Sequence, residues 1–326
     1  MKITNIKKKY LKFLKIGTNY SYKKIKCEIC NSKNNRIIRE KILWGKNIFG
    51  TLPIVCCNFC GFIFQNPRFE KKFYKNFYRE YYRKKIYSNI IPSSAFLNDQ
   101  YKRGLNIFKY LSLKYTLPKQ GNFLDVGCSA GLMLKPFMKK GWNCFGNDPD
   151  EPYVKFGREN LKLPIDFIDA EDMSYPKNYF DVILIAGSLE HCFDPNIVLK
   201  KCSYYARKNS LLILEARGEP RSTSKYYFNH NHHRYFSYNS LELMMIKYGW
   251  IPQETTMYPI SGPTREGGIW CIGKFNKKLS NNEFLKLIKN GKRETYKSVL
   301  SKLKYYDIIN KSLNPERGDY RNIKKI

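Results

Sequence analysis

The chain has 326 residues, with 59 Lys and Arg against 27 Asp and Glu, a formal charge of +32, and 43% apolar residues. This content provides for one large core or two smaller ones, excludes disorder over most of the length, and leaves no apolar run near the roughly 20 residues that a bilayer-crossing helix needs. Lysine dominates arginine in a chain crowded with Asn, Ile and Tyr, so scattered solvated surface is the first reading of the charge and attraction of phosphate-bearing partners the second.

The basic segment 1–22 has no uninterrupted apolar core and no small-residue cleavage site, so it does not read as a secretory signal; a cytoplasmic protein with reduced thiols is expected. Segment 23–68 reads as a zinc ribbon. Cys27-Glu-Ile-Cys30 and Cys57-Asn-Phe-Cys60 are two Cys-x-x-Cys pairs 26 residues apart. A two-residue turn lets both sulfurs of a pair face one ion, and four thiolates close a tetrahedral Zn2+ site with no open position, hence structural and not catalytic. Buried or redox thiols are the alternative, and Cys56 is a spare or rival ligand.

Segment 69–120 is an aromatic and basic connector. Apolar positions 73/74, 77/78 and 81/82 recur at i, i+4 and i+8, one face of a helix. Packing is the default use of that face; lining a substrate entrance, with Tyr81 and Tyr82 touching an acceptor, is the alternative. An amphipathic helix near 100–115 lies between Pro92 and Pro118.

Residues 122–131 form a short apolar strand running into a Gly-rich turn and a helix, the outline of a nucleotide cradle whose glycines admit a ligand and whose helix-start amides supply donors. A second strand, 143–146, leads to Asp148, placed to accept hydrogen bonds from ribose hydroxyls. The turn reads Asp-x-Gly-x-Ser-x-Gly, which is not the dinucleotide fingerprint, and its leading acid would repel a pyrophosphate. An acidic loop suits a phosphate-free cofactor with a cationic end, such as S-adenosylmethionine.

On these residues the segment 124–275 resembles a class I S-adenosylmethionine-dependent methyltransferase. Asp125-Val-Gly-Cys-Ser-Ala-Gly131 is similar to that family's first motif, with Ser129 where a glycine is usual; Asp148 matches the ribose-binding acid, and Asp169-Ala-Glu-Asp resembles the loop that meets the adenine amino group. Phe180 to His191, then Asp194-Pro195, resembles the fourth strand and the motif after it, and His233-Arg-Tyr-Phe-Ser resembles a later family segment. The resemblance implies an α/β fold: a Rossmann-like seven-stranded sheet, mostly parallel with an antiparallel edge hairpin, over 121–276. It implies cofactor contacts from Asp125, Gly127, Cys128, Gly131, Asp148, Asp169 and Ala170. With the ribbon included, the chain is similar to bacterial methyltransferases of sugar and polysaccharide biosynthesis, although only a basic helical tail, 277–326, follows the domain.

Several finer expectations complete the reading. Ser210 to Glu215 is a strand, with Arg207-Lys-Asn-Ser in place of a usual glycine turn, Asn239-Ser-Leu-Glu242 reads as a capping box, and 261–268 as a flexible loop suited to closing over a site. His191, just past the fourth strand, is a candidate base or acceptor contact, or else a structural histidine. His233 lines the site or orders a loop, His230 and His232 are surface, and Glu190 is structural or cofactor-adjacent. The leading function is methyl transfer to a sugar hydroxyl of an anionic, nucleotide-linked sugar or glycan precursor. A tRNA or rRNA methyltransferase binding nucleic acid through its basic surface is the alternative, and a non-catalytic zinc-ribbon interaction protein is the third.

Overall fold

The computed structural model describes residues 11–12, 15, 17, 19–39, 42–43, 49–50, 53–78, 80, 91–217, 232–265, 267–291 and 293–313. By its internal contacts the chain divides into two units, one of Met1–Ile86, Glu219–Ser240 and Leu285–Ile326, the other of Tyr87–Gly218 and Leu241–Phe284. The segments drawn from sequence at 1–22, 23–68, 69–120, 121–276 and 277–326 are redistributed over these units. Strand pairing and helix packing explain the redistribution.

In the first unit, strands in chain order are β1 (Tyr22–Lys23), β2 (Asn35–Arg39), β3 (Ile42–Leu43), β4 (Phe49–Gly50), β5 (Ile54–Cys57), β6 (Ile63–Gln65), β7 (Arg68–Phe69) and, much later, β13 (Arg234–Tyr235). The main sheet has the order β13-β6-β5-β2 and is antiparallel throughout. Arg234 sits opposite Phe64 and Tyr235 opposite Ile63, which is what assigns the segment around 234 to the ribbon. After β7 the helix Lys71–Asn76 buries Phe73 and Tyr74, and Phe77 behind it is fully buried. The Phe69 and Phe73 rings stack at 4.1 Å, so the aromatic face is core; Tyr81 and Tyr82 lie outside the described residues. From Leu285 on, the tail is part of this unit too, and Val299 and Leu303 of the helix Tyr296–Leu313 are buried.

The second unit is built on a seven-stranded sheet of β8 (Asn122–Val126), β9 (Asn143–Asp148), β10 (Ile165–Phe167), β11 (Phe180–Ala186), β12 (Ala206–Ala216), β14 (Trp250–Thr256) and β15 (Ile269–Phe275). Its order is β10-β9-β8-β11-β12-β15-β14. The first five strands are parallel, and β15 runs antiparallel between β12 and β14, so this is the Rossmann-like sheet with an antiparallel edge hairpin. Every residue of β8 is buried, as expected of a central parallel strand covered on both faces.

The helix Ser94–Lys114 belongs to this unit. It starts earlier than the expected 100–115 because the Ser93 hydroxyl accepts from the Phe96 amide at 3.2 Å, an N-cap. Its buried positions, Gln100, Arg103, Gly104, Ile107 and Leu111, follow helical spacing, and burying Ile107 and Leu111 contributes roughly 1.5–3 kcal/mol each. β12 extends beyond the expected 210–215, and Asn209, at φ 65°, provides the left-handed residue that a glycine was expected to supply. The helix Tyr238–Ile246 is capped two residues earlier than expected, at Ser237 and not Asn239. Ser237 and Ser240 form the reciprocal pair, with the Ser240 amide on the Ser237 hydroxyl (3.1 Å) and the Ser237 amide on that of Ser240 (2.8 Å), whereas Glu242 accepts from the Thr255 hydroxyl at 2.6 Å.

Candidate functional site

In the second unit, β8 has β9 on one side and β11 on the other, so the sheet reverses its order at β8, and ligands of such sheets sit beyond the carboxyl ends of the strands there. Asp125 is the penultimate residue of β8, Asp148 the last of β9, and Asp169 follows β10 by two residues. Three acids thus end three adjacent strands.

Asp125 is fully buried, and neither carboxylate oxygen has a hydrogen-bond partner among the described residues. Burial pushes its pKa up, the Arg103 guanidinium pulls it back, and the Asp148 charge adds to the rise, leaving it at about 7. A buried acceptor with nothing to accept is costly, which marks a place where a donor or a cation belongs. Asp148 is braced instead. One oxygen accepts from the Ser129 amide at 2.8 Å and the other from the Asp150 amide at 2.9 Å.

The Gly-rich turn differs from a phosphate cradle. The Gly127 and Cys128 amides both donate to the Asn147 carbonyl (2.8 and 3.0 Å), the Gly131 amide to that of Cys128 (2.9 Å), and the Ser129 amide to Asp148, so these donors are spent inside the protein. A 3-10 turn, Leu132–Leu134, and the four-residue helix Lys135–Met138 follow, so no long helix opens at the turn as the sequence suggested. Gly127 has φ 79°, and a Cβ there would lie 2.5 Å from that of Ser188, so only glycine fits. Cys128 is buried in the core, where burial raises its thiol pKa, and it offers only its backbone to a ligand. Ala170 is buried beside Asp169.

Beyond β11 the chain turns through residues 188–192. The His191 amide donates to the Ser188 carbonyl at 3.0 Å and the side chain is half-buried. Glu190 is buried, accepts from the Arg217 amide at 3.3 Å, and has its pKa raised by burial. Sequence reasoning missed the groups that complete this end of the sheet. Buried Glu215, at the end of β12, pairs with buried Arg103 at 3.3 Å, and Arg265 stands 3.9 Å from its other oxygen. The available signal was a charge on the apolar face of a helix and an acid closing an apolar strand.

The remaining candidates lie in the first unit. The sulfurs of Cys27, Cys30, Cys57 and Cys60 all lie within 4.8 Å of one another, with Cys27–Cys60 at 3.5 Å and Cys30–Cys57 at 3.6 Å. A tetrahedral zinc with Zn–S bonds of about 2.3 Å requires sulfurs about 3.8 Å apart, so the donor set fits that ion. Cys56 stands apart from it; its thiol donates to the Gly61 carbonyl at 3.4 Å. Inside the first pair, buried Glu28 meets Arg68 at 2.8 Å and Arg234 at 2.6 Å. Burial alone would raise its pKa, but Arg234 and then Arg68 outweigh it and hold the carboxyl at about 2. His233 is fully buried with its ring 3.9 Å from that of Tyr74, and His232 is buried as well, its carbonyl accepting from Gln65 at 2.7 Å, because β13 carries both into the ribbon sheet. The surface expectation for His232 is therefore corrected, and His230 lies outside the described residues.

Residues 124–214 match the family model described as a methyltransferase domain. Among curated proteins, the chain is 30% identical over 96 residues to a ubiquinone biosynthesis O-methyltransferase of Bradyrhizobium diazoefficiens, covering 28% of this chain and 38% of that protein. It is 31% identical over 100 residues to the namesake of Pelagibacter ubique, covering 29% and 42%. The chain thus spans about two fifths of the length of these relatives. Among solved structures it is similar to a chain in the complex of the Haloferax volcanii Trm112 methyltransferase activator with a methyltransferase (12% identity, 56% of this chain and 95% of that one, TM-score 0.47). It is also similar to the 1,6-didemethyltoxoflavin-N1-methyltransferase of Burkholderia thailandensis (14%, 56% and 82%, TM-score 0.43). At such scores the likeness adds nothing to the fold already described. The curated relatives bear the name of ubiquinone biosynthesis and not of a sugar pathway. Among the described residues, no helix is long and apolar enough to cross a membrane.

Proposed function

We propose that this protein is an S-adenosylmethionine-dependent methyltransferase that methylates an oxygen of a small molecule, a sugar hydroxyl on a nucleotide-linked sugar or glycan precursor. The observation that carries the reading is Asp125, buried with two oxygens that have no hydrogen-bond partner among the described residues, at the switch point of the sheet, beside a turn in which the Gly127, Cys128, Ser129 and Gly131 amides donate within the protein. Bound there, the cofactor would supply a methyl group already activated on a sulfonium. Asp125 would face its cationic end, Asp148 the ribose hydroxyls, and Asp169 with Ala170 the adenine, while Gly127, Cys128 and Gly131 form the backbone wall. The chain's own part is to hold the acceptor in line, exclude water and remove one proton. His191, beyond β11, is the proposed base, with neutral imidazole taking the hydroxyl proton; His233 is proposed to contribute through the order it gives its own segment. The O-methyltransferase name of the relatives supports oxygen as the accepting atom. The four thiolates are proposed to hold a structural zinc.

The test is transfer of labelled methyl from S-adenosylmethionine to a panel of nucleotide sugars. His191→Ala is expected to lower turnover by about 100-fold, the low end of general-base catalysis, with cofactor affinity unchanged. Labelling of tRNA or rRNA instead of sugars would move the assignment to the nucleic-acid reading that the +32 charge favours.

The ionisation of Asp125 adds a pH dependence. Its folded pKa, about 7, is above that of an exposed carboxyl, so the ligand-free fold is favoured by the protonated acid and loses that contribution as pH rises through 7. A cationic ligand binds the ionised form, so affinity for S-adenosylmethionine is expected to rise about tenfold from pH 6 to pH 8. Calorimetric titrations at both values check this, and Asp125→Asn should flatten the profile.

A further inference from the structure

Arg265 ends a short 3-10 turn, Pro263–Arg265, in the loop that joins β14 to β15, and none of the motifs assigns it a role. Because β15 begins with Ile269 opposite Ala216, the last residue of β12, this loop lies at the carboxyl end of the parallel strands. It is tied to the helix Ser94–Lys114 at two points: the Thr264 hydroxyl donates to Asp99 at 2.7 Å, and the Asn106 side-chain amide donates to the Ser261 carbonyl at 3.2 Å. So held, the guanidinium of Arg265 reaches the end of β11, where a Cβ on Gly187 would meet its two terminal nitrogens at 3.5 and 3.7 Å. Gly187 directly follows β11 and stands four residues before His191. The Arg265 side chain is 41% exposed, and its contact with Glu215, at 3.9 Å, is beyond hydrogen-bonding distance. Among the described residues its guanidinium donates no hydrogen bond.

The carboxyl end of the sheet is divided by charge. Asp125, Asp148 and Asp169 stand at the ends of β8, β9 and β10, the half proposed for the cationic cofactor. On the β11–β12 side three guanidiniums, those of Arg103, Arg217 and Arg265, act on two carboxyls, Glu190 and Glu215. Burial pushes both carboxyls up toward their neutral forms, and the Arg265 charge draws both back. Glu215 already accepts from Arg103 at 3.3 Å, so Arg265 is not required to satisfy it. An arginine fork presents five donors that match phosphate oxygens, and here they lie half in solvent, beside the turn that carries the proposed base. Such a group calls for an anion delivered with the acceptor. Resting on the methyltransferase reading, we propose that Arg265 binds the phosphate of a phosphate-bearing acceptor, the diphosphate of a nucleotide-linked sugar, on the β11–β12 side of the crevice. The acids of the other three strands then repel that phosphate and keep the acceptor's anionic part off the cofactor's half.

The test is calorimetric titration of the full chain saturated with S-adenosylhomocysteine, using uridine diphosphate and uridine as probes at physiological salt, which screens scattered surface charge. The unmodified chain should bind the diphosphate at least about tenfold more tightly than the nucleoside, the scale of a charge-assisted hydrogen bond. Arg265→Gln should remove that difference and leave the affinity for S-adenosylhomocysteine unchanged. Arg265→Lys, which keeps the charge and loses the fork, should recover part of it. Equal affinity of the unmodified chain for the two probes, or binding of neither, would overturn the proposal whether or not the variants fold. A preference for the diphosphate that survives Arg265→Gln would also overturn it, by placing the phosphate on surface lysines, as would parallel loss of the diphosphate and S-adenosylhomocysteine, by placing Arg265 on the cofactor. No binding of S-adenosylhomocysteine to the unmodified chain would instead remove the cofactor reading, and this assignment with it.

Discussion

A strong chelator is expected to unfold the ribbon unit of the intact chain and to release one zinc per molecule. Apparent zinc-binding energies of four-ligand structural sites are about 10–16 kcal/mol at neutral pH, as large as the roughly 5–15 kcal/mol that holds a whole domain together. Two knuckles supply all four sulfurs, and β5 and β6 of the ribbon sheet run directly into and out of the second one, so loss of the ion releases the strands as well. Cys60→Ser should act in the same direction without chelator. Near-ultraviolet circular dichroism with a colorimetric zinc indicator checks both; an unchanged spectrum and no released metal would show that the thiols are only packed together.

Glu28→Ala is expected to destabilise the ribbon unit by about 3–5 kcal/mol, because it takes away the carboxylate that two buried guanidiniums share. Arg234 is among the largest fully buried side chains of the protein, and both it and Arg68 direct two nitrogens at the same carboxylate. With a folded pKa of about 2, below its ordinary value of 4.5, the Glu28 carboxylate contributes its stability in full at neutral pH and loses it only as pH falls from about 4.5 toward 2. The variant is therefore measured at pH 7 by denaturant unfolding, with zinc content followed in parallel. Exchanging all three charged groups together for apolar side chains of similar volume should cost far less than Glu28→Ala, since no charge is then stranded. A single-variant loss below about 1 kcal/mol, the scale of a surface pair, would contradict the buried-triad account.

Features set by local chemistry were legible in the sequence. The cysteine pairs announced a four-sulfur cage by spacing alone, and the apolar run into glycines at 127 and 131 located the central strand, its turn and the order of the acids. What escaped was long-range. Arg103 and Glu215 are 112 residues apart, and nothing local to either shows that they meet. The region around 232–235 lies late in the chain yet joins a strand near residue 64, so His232, expected at the surface, is buried. Asn209 took the left-handed place of a glycine because a short polar side chain tolerates it, and Ser237 displaced Asn239 as the helix cap because the pairing of β13 ends just before it.

The most direct measurement is calorimetric titration of the full chain with S-adenosylmethionine at pH 8, set beside Asp125→Asn. A single saturable site on the unmodified protein, weakened at least about tenfold when the buried carboxylate becomes an amide, is the expected result. Absence of binding, or an affinity indifferent to residue 125, would contradict the claim that this acid receives a cationic adenosyl ligand.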